Sequence, residues 1–275
     1  MIFKCHMTRI ISSLQNPLIK NVLLLTEKPR IRKEQKRFVI EGLREIRLAL
    51  MGGFRMTDLF YCPEIISESD LASLNFQSEN SDAQIEISVD VFNRMAYRKD
   101  SGGVIALAEP RRLGFSDILL QKQPLLLVLE TVEKPGNLGA LLRTADAANL
   151  DAVIICDPQT DIYNPNAIRS SIGCIFTMPV VTTSSEEAIQ WMRTSGIKMF
   201  GTALTATHHY HETNFSQPAA IIMGSEAFGL SKIWMDGSDD LIKIPMMGKI
   251  DSMNVSASAA IVIFEALRQR NFRQH

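Results

Sequence analysis

Asn137 with Arg143, Ser225 with Glu226, and Ser252 with Asn254 and Ser256 fall in three stretches built alike. In each, an apolar run ends, Gly, Asn or Ser makes a turn, and a helix-forming run follows. The run before the first turn, Pro124–Glu130, is continuously apolar, as expected of a parallel strand covered on both faces. Open sheets of this class bind ligands outside the carboxyl ends of their strands, where helix N-termini offer unpaired N–H groups. Amides, hydroxyls, a carboxylate and a guanidinium gathered there have the chemistry to hold and orient a polar ligand. They converge on one crevice if the strands that carry them lie side by side.

Each group also has a purely structural reading. A lone Arg143 is most often a solvated or ion-paired surface residue. Glu226 can cap the next helix through its N-terminal amides, and Ser252 or Asn254 can cap the long last helix. The first loop resembles a phosphate-binding turn but lacks GxGxxG, and no GxxxxGK[ST] occurs. Dinucleotide binding and the simplest NTPase chemistry are therefore disfavoured.

The elements that must position these groups lie downstream of a linker at 109–122, where Pro110, Arg111, Arg112 and Gly114 interrupt the apolar periodicity. From 123 to 275, strands are expected at Leu125–Glu130, Ala152–Cys156, Met178–Val181, Lys198–Ala203, Ala220–Met223 and Leu241–Ile244. Helices are expected at about Leu138–Asn149, Asn166–Ser171, Glu186–Thr194, after Gly229, and from Asn254 to Arg270. This alternation predicts an α/β fold with a mostly parallel sheet. Residues 8–108 read as a smaller α/β domain, with a helix over Glu41–Leu50 ended by Gly52 and Gly53, a strand at Met56–Tyr61, a helix at Val89–Met95 and a closing strand at Gly103–Ala108.

With 275 residues, a net charge of −1 and 46% hydrophobic content, the chain reads as a soluble globular protein and not as a generally basic nucleic-acid coat. A local basic run, Lys28–Arg37, is the exception. The opening Met1–His6 lacks a signal-peptide core, and no apolar run approaches a membrane span, so a cytoplasmic protein is expected. Cys5, Cys62, Cys156 and Cys174 form no CxxC pair, and Cys156 and Cys174 read as small core residues. His208, His209 and His211 beside Glu212 invite a metal reading, but a polar loop without further ligands is preferred, and no metal is expected.

The three stretches together resemble the SpoU (TrmH-type) family of RNA ribose methyltransferases, in the SPOUT superfamily. The matches are Asn137, Gly139, Arg143, Thr144 and Ala145, then Gly224, Ser225, Glu226, Gly229 and Leu230, then Pro245, Gly248, Ser252, Asn254, Val255 and Ser256. Ser12–Lys20 through Phe38–Gly42 resembles the ribosomal-protein-like RNA-binding domain attached to many of these enzymes. Lys134 departs from the family, which commonly has an acidic residue before the Pro, and Met253 stands where Leu is usual. The resemblance implies a deep trefoil knot, with Ile244–Ser256 as part of it. It also implies S-adenosylmethionine as donor, a homodimer, and methylation of a ribose 2'-hydroxyl, in large-subunit (23S) ribosomal RNA in preference to transfer RNA; Ile261, Phe264 and Leu267 of the last helix are expected to contribute to the dimer interface.

By the same resemblance, Arg143 is the key catalytic residue, with Asn137, Glu226, Ser252 and Asn254 completing the site. The donor is held by Thr202, Ala203, Leu204, Gly224, Ile244 and Met253. RNA is expected on Lys20, Arg30, Arg32, Lys33, Lys36 and Arg37. A silent RNA-binding or ribosome-assembly factor of the same fold is the alternative.

Overall fold

The computed structural model describes residues 9–77, 82–97 and 101–272. The expectations about Met1–His6 and Cys5 lie outside these residues. The chain runs β1 (Arg9–Ile11), α1 (Pro17–Glu27), α2 (Pro29–Gln35), β2 (Phe38–Glu41), α3 (Leu43–Met51), β3 (Met56–Tyr61), α4 (Glu68–Ser73), β4 (Gln84–Ile87), α5 (Val89–Met95) and β5 (Val104–Ala108). It continues through β6 (Leu125–Glu130), α6 (Pro135–Ala147), β7 (Ala152–Cys156), α7 (Pro165–Ser170), β8 (Val180–Thr183) and α8 (Ser185–Thr194). It ends with β9 (Lys198–Thr202), β10 (His208–His209), β11 (Ala219–Met223), α9 (Lys232–Gly237), β12 (Asp240–Lys243) and α10 (Val255–Gln269).

Two units separate by their contacts. The first comprises the described residues of Met1–Arg111 with Tyr163–Thr177, so α7, which the sequence placed among the catalytic elements, packs with the N-terminal unit. Its sheet has the order β1-β4-β3-β5-β2, with β5 antiparallel to both of its neighbours. Ile19, Val22 and Leu25 of α1 and Val91, Phe92 and Met95 of α5 bury their apolar faces with Phe60, Ile85 and Ile87 of the sheet. Phe38 stacks on Tyr163 with ring centroids 4.2 Å apart. The helix expected over Glu41–Leu50 begins at Leu43, because Glu41 pairs with Ile105 as the last residue of β2 and Gly42 turns the chain at φ +105°.

The second unit, Arg112–Ile162 with Met178–His275, carries a seven-stranded parallel sheet of order β10-β12-β9-β11-β6-β7-β8. Its three central strands, β11, β6 and β7, are buried along their length, which explains their apolar sequences. One face packs around Trp234, whose Nε1 donates to Ser185 Oγ at 2.8 Å. Cys62, Cys156 and Cys174 are buried. Two local expectations change. α6 starts at Pro135 and not Leu138, because proline is preset for the first helical position. His208–His209 forms a short strand on β12 where a loop was expected. Among the described residues, no helix is long and apolar enough to cross a membrane.

What positions the site is the run β12-β9-β11-β6. These adjacent strands are all parallel, so the segments that follow them emerge along one edge of the sheet.

Candidate functional site

The segment after β6 enters α6 with Lys134 at the N-cap and Asn137 in the first turn. The segment after β11 folds into a tight loop in which Ser225 and Gly229 exchange backbone hydrogen bonds, both 3.0 Å, and Ser225 Oγ accepts from the Phe228 amide at 3.1 Å. Gly229 takes φ +68°. A Cβ on Gly224 would lie 2.2 Å from the Gly229 carbonyl carbon, so Gly224 is required for the loop to close on itself. This loop raises Glu226 at its tip, and the next residue after it to be fixed is Ser231, whose amide donates to Glu130 Oε2 at 2.9 Å. The buried Glu130, at the end of β6, thereby ties the Glu226 loop to the strand beneath Asn137.

Three of the expected catalytic residues meet here. Asn137 Nδ2 donates to Glu226 Oε1. Asn254 Nδ2 donates to the same oxygen at 3.3 Å and to Asn137 Oδ1 at 3.3 Å. The other carboxylate oxygen is ion-paired with Lys134 Nζ. The pair raises the Lys134 ammonium above its ordinary value, through the hydrogen bond to Glu226 first and that group's charge second. The helix-cap reading of Glu226 fails, because α9 begins only at Lys232 and its approach is held by Glu130.

For Asn254 both readings hold at once. Its Oδ1 caps α10, accepting from Ser256 N at 3.0 Å, Ala257 N at 3.4 Å and Ser256 Oγ at 2.5 Å. Because the cap claims the amide oxygen, the amide nitrogen must face the carboxylate. A local helix signal thus orients a group in the site.

Arg143 and Ser252 stand apart from this group. Arg143 is exposed and, among the described residues, makes no side-chain hydrogen bond or ion pair. Six residues beyond Asn137, it lies about 9 Å further along α6 and roughly a third of a turn round from it. Ser252 is exposed and, among the described residues, donates only to Asp251 Oδ1, at 3.2 Å.

The residues expected around the donor come from the segments following β9, β11 and β12, which share the same edge. Thr202 spends its hydroxyl on Ile222 O at 2.9 Å, and the Ala203 amide extends the ladder to Ile242 O at 3.0 Å. These two therefore shape the rim. Leu204, Phe228, Met247, Ile250 and Met253 are large apolar side chains exposed in the same segments, while Ile244 is half-buried. Apolar side chains left in water along a sheet edge beside a carboxylate and two amides form a surface for a ligand with an apolar face and polar handles.

In the first unit the basic run divides. Lys20, Lys33 and Lys36 are exposed, and Arg30 pairs with Glu34 at 2.7 Å on the solvent side of α2. Arg37 is half-buried against Asp58 at 3.4 Å. Arg32 contradicts the expectation. It is 3% exposed, and its Nη1 donates to Leu25 O at 2.6 Å and Thr26 O at 3.1 Å. It satisfies carbonyls at the C-terminus of α1 and is not available to RNA.

His209, His211 and Glu212 place one possible ligand atom each within 4.8 Å of one another. The carboxylate is held below its ordinary range, first by the His209 amide and then by the neighbouring imidazoles. Two contributors to the main site were not recognised in the sequence. Lys134, which in the sequence is only a departure from the family's acidic residue, holds Glu226. Glu130 closes the Pro124–Glu130 run, and nothing local to that run marks it as the acceptor for the Ser231 amide.

The profile of the SpoU rRNA Methylase family matches residues 124–264, and that of the MRM3-like substrate binding domain matches residues 16–106. The 23S rRNA (guanosine-2'-O-)-methyltransferase RlmB of Vibrio cholerae serotype O1 is 37% identical over 191 residues, which cover 67% of this chain and 77% of that protein. An RNA 2'-O ribose methyltransferase of known structure is 35% identical with a TM-score of 0.81, covering 95% of this chain and 99% of its own. The AdoMet-bound rRNA methyltransferase from Sinorhizobium meliloti is 29% identical with a TM-score of 0.85, covering 95% of this chain and 98% of its own. The seven-stranded parallel sheet, the Asn137–Glu226–Asn254 group at its edge and a sequence match across both place the chain in one family. It belongs to the SpoU rRNA methylases.

Proposed function

We propose that this protein transfers a methyl group from S-adenosylmethionine to a ribose 2'-hydroxyl of RNA, with 23S ribosomal RNA as the substrate. The observation that carries the reading is the hydrogen-bonded meeting of Asn137, Glu226 and Asn254 beside the exposed apolar side chains of Leu204 and Met253. The surface fits the donor. Leu204, Ile244 and Met253 suit the adenosine faces, and the polar group lies at the adjoining strand ends.

S-adenosylmethionine supplies a sulfonium methyl that leaves with its bonding pair remaining on sulfur. The chain's task is to align the hydroxyl oxygen behind that carbon and give its proton a route out. An exposed guanidinium is a poor base but a good bidentate clamp for phosphate. Arg143 therefore grips the phosphate next to the target ribose, and Ser252 lies on the same motif as Asn254. Glu226, fixed by Lys134 and two amides, holds the loop that closes the site.

We further propose that Ile244–Ser256 threads a trefoil knot. In support, β12, the last strand in sequence, lies between β10 and β9, both of which precede it. A homodimer, a cytoplasmic location and a metal-free reaction complete the reading. Methyl transfer from a sulfonium needs no Lewis acid. Arg143→Ala is expected to abolish transfer to ribosomal RNA while leaving donor affinity by titration calorimetry within about twofold of wild type. Full activity of that variant removes Arg143 from the mechanism. Mapping of ribose methylation in cells with and without the protein tests the function itself, since an unchanged map rejects it in favour of a silent binding factor.

A further inference from the structure

The first unit holds a cleft of about 300 Å³ that no step above uses. It opens where β2 turns into α3, at Glu41, Gly42, Arg44 and Glu45, and is walled by Tyr97 and by Arg169 of α7. The size lies at the lower end of small-ligand sites. The Arg169 guanidinium lies over the Tyr97 ring, 4.5 Å from its centroid, and Asn166 Oδ1 fixes it by accepting from Nη2 at 2.8 Å. Tyr97 nevertheless remains 56% exposed. Such a ring, already stacked on a flat cation, is a platform that a further flat group can extend.

Two carboxylates border this platform. Glu41 accepts from the Tyr97 amide at 2.8 Å. Glu45, whose side chain is only 12% exposed, accepts from Arg44 at 2.8 Å, and Arg44 itself faces solvent. A carboxylate has about four lone-pair sites, so the Glu45 contact with Arg44 leaves acceptor capacity. Stacking planes beside carboxylate acceptors, with an exposed arginine at the rim, match an unpaired nucleobase and its backbone phosphate. Among the common bases, guanine presents adjacent ring and exocyclic N–H donors on one edge, the pattern a carboxylate accepts.

We propose that this cleft binds an unpaired guanine of the RNA substrate, a subsite in the first unit separate from the methyl-transfer site. The proposal rests on the reading that the protein acts on RNA. The test uses the full-length protein and fluorescence anisotropy with labelled single-stranded UUGUU and UUUUU, with S-adenosylmethionine titration as the control for folding. The guanine-containing probe is expected to bind more tightly. Tyr97→Ala should weaken it about tenfold, Tyr97→Phe should retain it, and Glu45→Gln should narrow the difference between the probes. Donor binding should stay unchanged throughout.

Equal affinity of the wild type for both probes, or unaltered UUGUU binding by Tyr97→Ala, overturns the proposal. A protein that methylates ribosomal RNA but fails these tests loses the guanine cleft and keeps its function. One that shows the probe preference but no methyl transfer keeps the cleft and loses the function. Displacement of UUGUU by an arginine-rich peptide but not by guanosine monophosphate assigns the cleft to a protein partner, which also overturns it.

Discussion

Asn254 does two jobs with one amide, and they can be separated. Asp is as good a helix cap as Asn. Asn254→Asp should therefore keep the melting temperature within a degree or two of wild type, while placing a second carboxylate where Asn254 Nδ2 now donates to Glu226 Oε1 at 3.3 Å. Transfer activity should be lost. Asn254→Ala should lose both, with a stability cost of about 1 kcal/mol for the missing cap. Thermal denaturation run beside a transfer assay checks the split, and an active Asn254→Asp protein would show that the Asn254–Glu226 contact is dispensable. The same two-sidedness applies to Arg32 and Lys33, neighbours in sequence with opposite exposure. Lys20→Gln and Lys33→Gln should weaken RNA binding and flatten its salt dependence. Arg32→Ala should instead lower thermal stability by uncoupling α2 from the end of α1. Salt-titrated binding and melting curves on the same proteins distinguish these outcomes.

At the scale of elements, α10 is fastened at both ends. Its start is the Asn254 cap, and its end is Arg270, which is 8% exposed. Arg270 donates from Nε to Phe215 O at 2.8 Å, from Nη1 to Gln123 O at 2.6 Å, and from Nη2 to Gln217 O at 2.6 Å and Pro124 O at 3.2 Å. Burial pulls the guanidinium below its usual value, but its ordinary basicity leaves it charged at neutral pH. These carbonyls precede β6 and β11, whose far ends carry Asn137 and Glu226. Arg270→Ala strands several buried acceptors and should cost about 3 kcal/mol or more. Arg270→Lys should recover little of it, because a single ammonium cannot reach carbonyls spread along a planar fork. Urea denaturation measures both, and a Lys variant as stable as wild type would contradict the fork geometry.

At the scale of the whole molecule, the proposed dimer is expected to show in light scattering at micromolar concentration, and a monomer there would contradict it. α10 leaves Phe264 43% exposed while Val262 and Ile263 are buried. Phe264→Asp is therefore expected to shift the population towards monomer without disturbing the core beneath. Exposed Arg143, unconnected to the Asn137–Glu226–Asn254 group, is the residue whose contribution such a dissociation would reveal. Transfer activity should fall with the dimer fraction.

The sequence by itself determined the central buried strands of the second unit, the parallel α/β class and the three loops, because burial on both faces demands unbroken apolar runs and turns demand Gly, Asn and Ser, whereas the short strands β1, β2, β4 and β10 carry too little periodicity to be read. It also carried the family, since the residues that form the site recur at readable spacings. Tertiary structure decided what depends on partners distant in the chain. It joined Lys134 to Glu226 across 92 positions and set Glu130 beneath Ser231. It buried Arg32 within a basic run, and brought α7 to the first unit, where Arg169 meets Tyr97. Periodicity reports which face of an element avoids water, and a charged residue's fate turns instead on which carbonyl, carboxylate or ring the folded chain sets beside it.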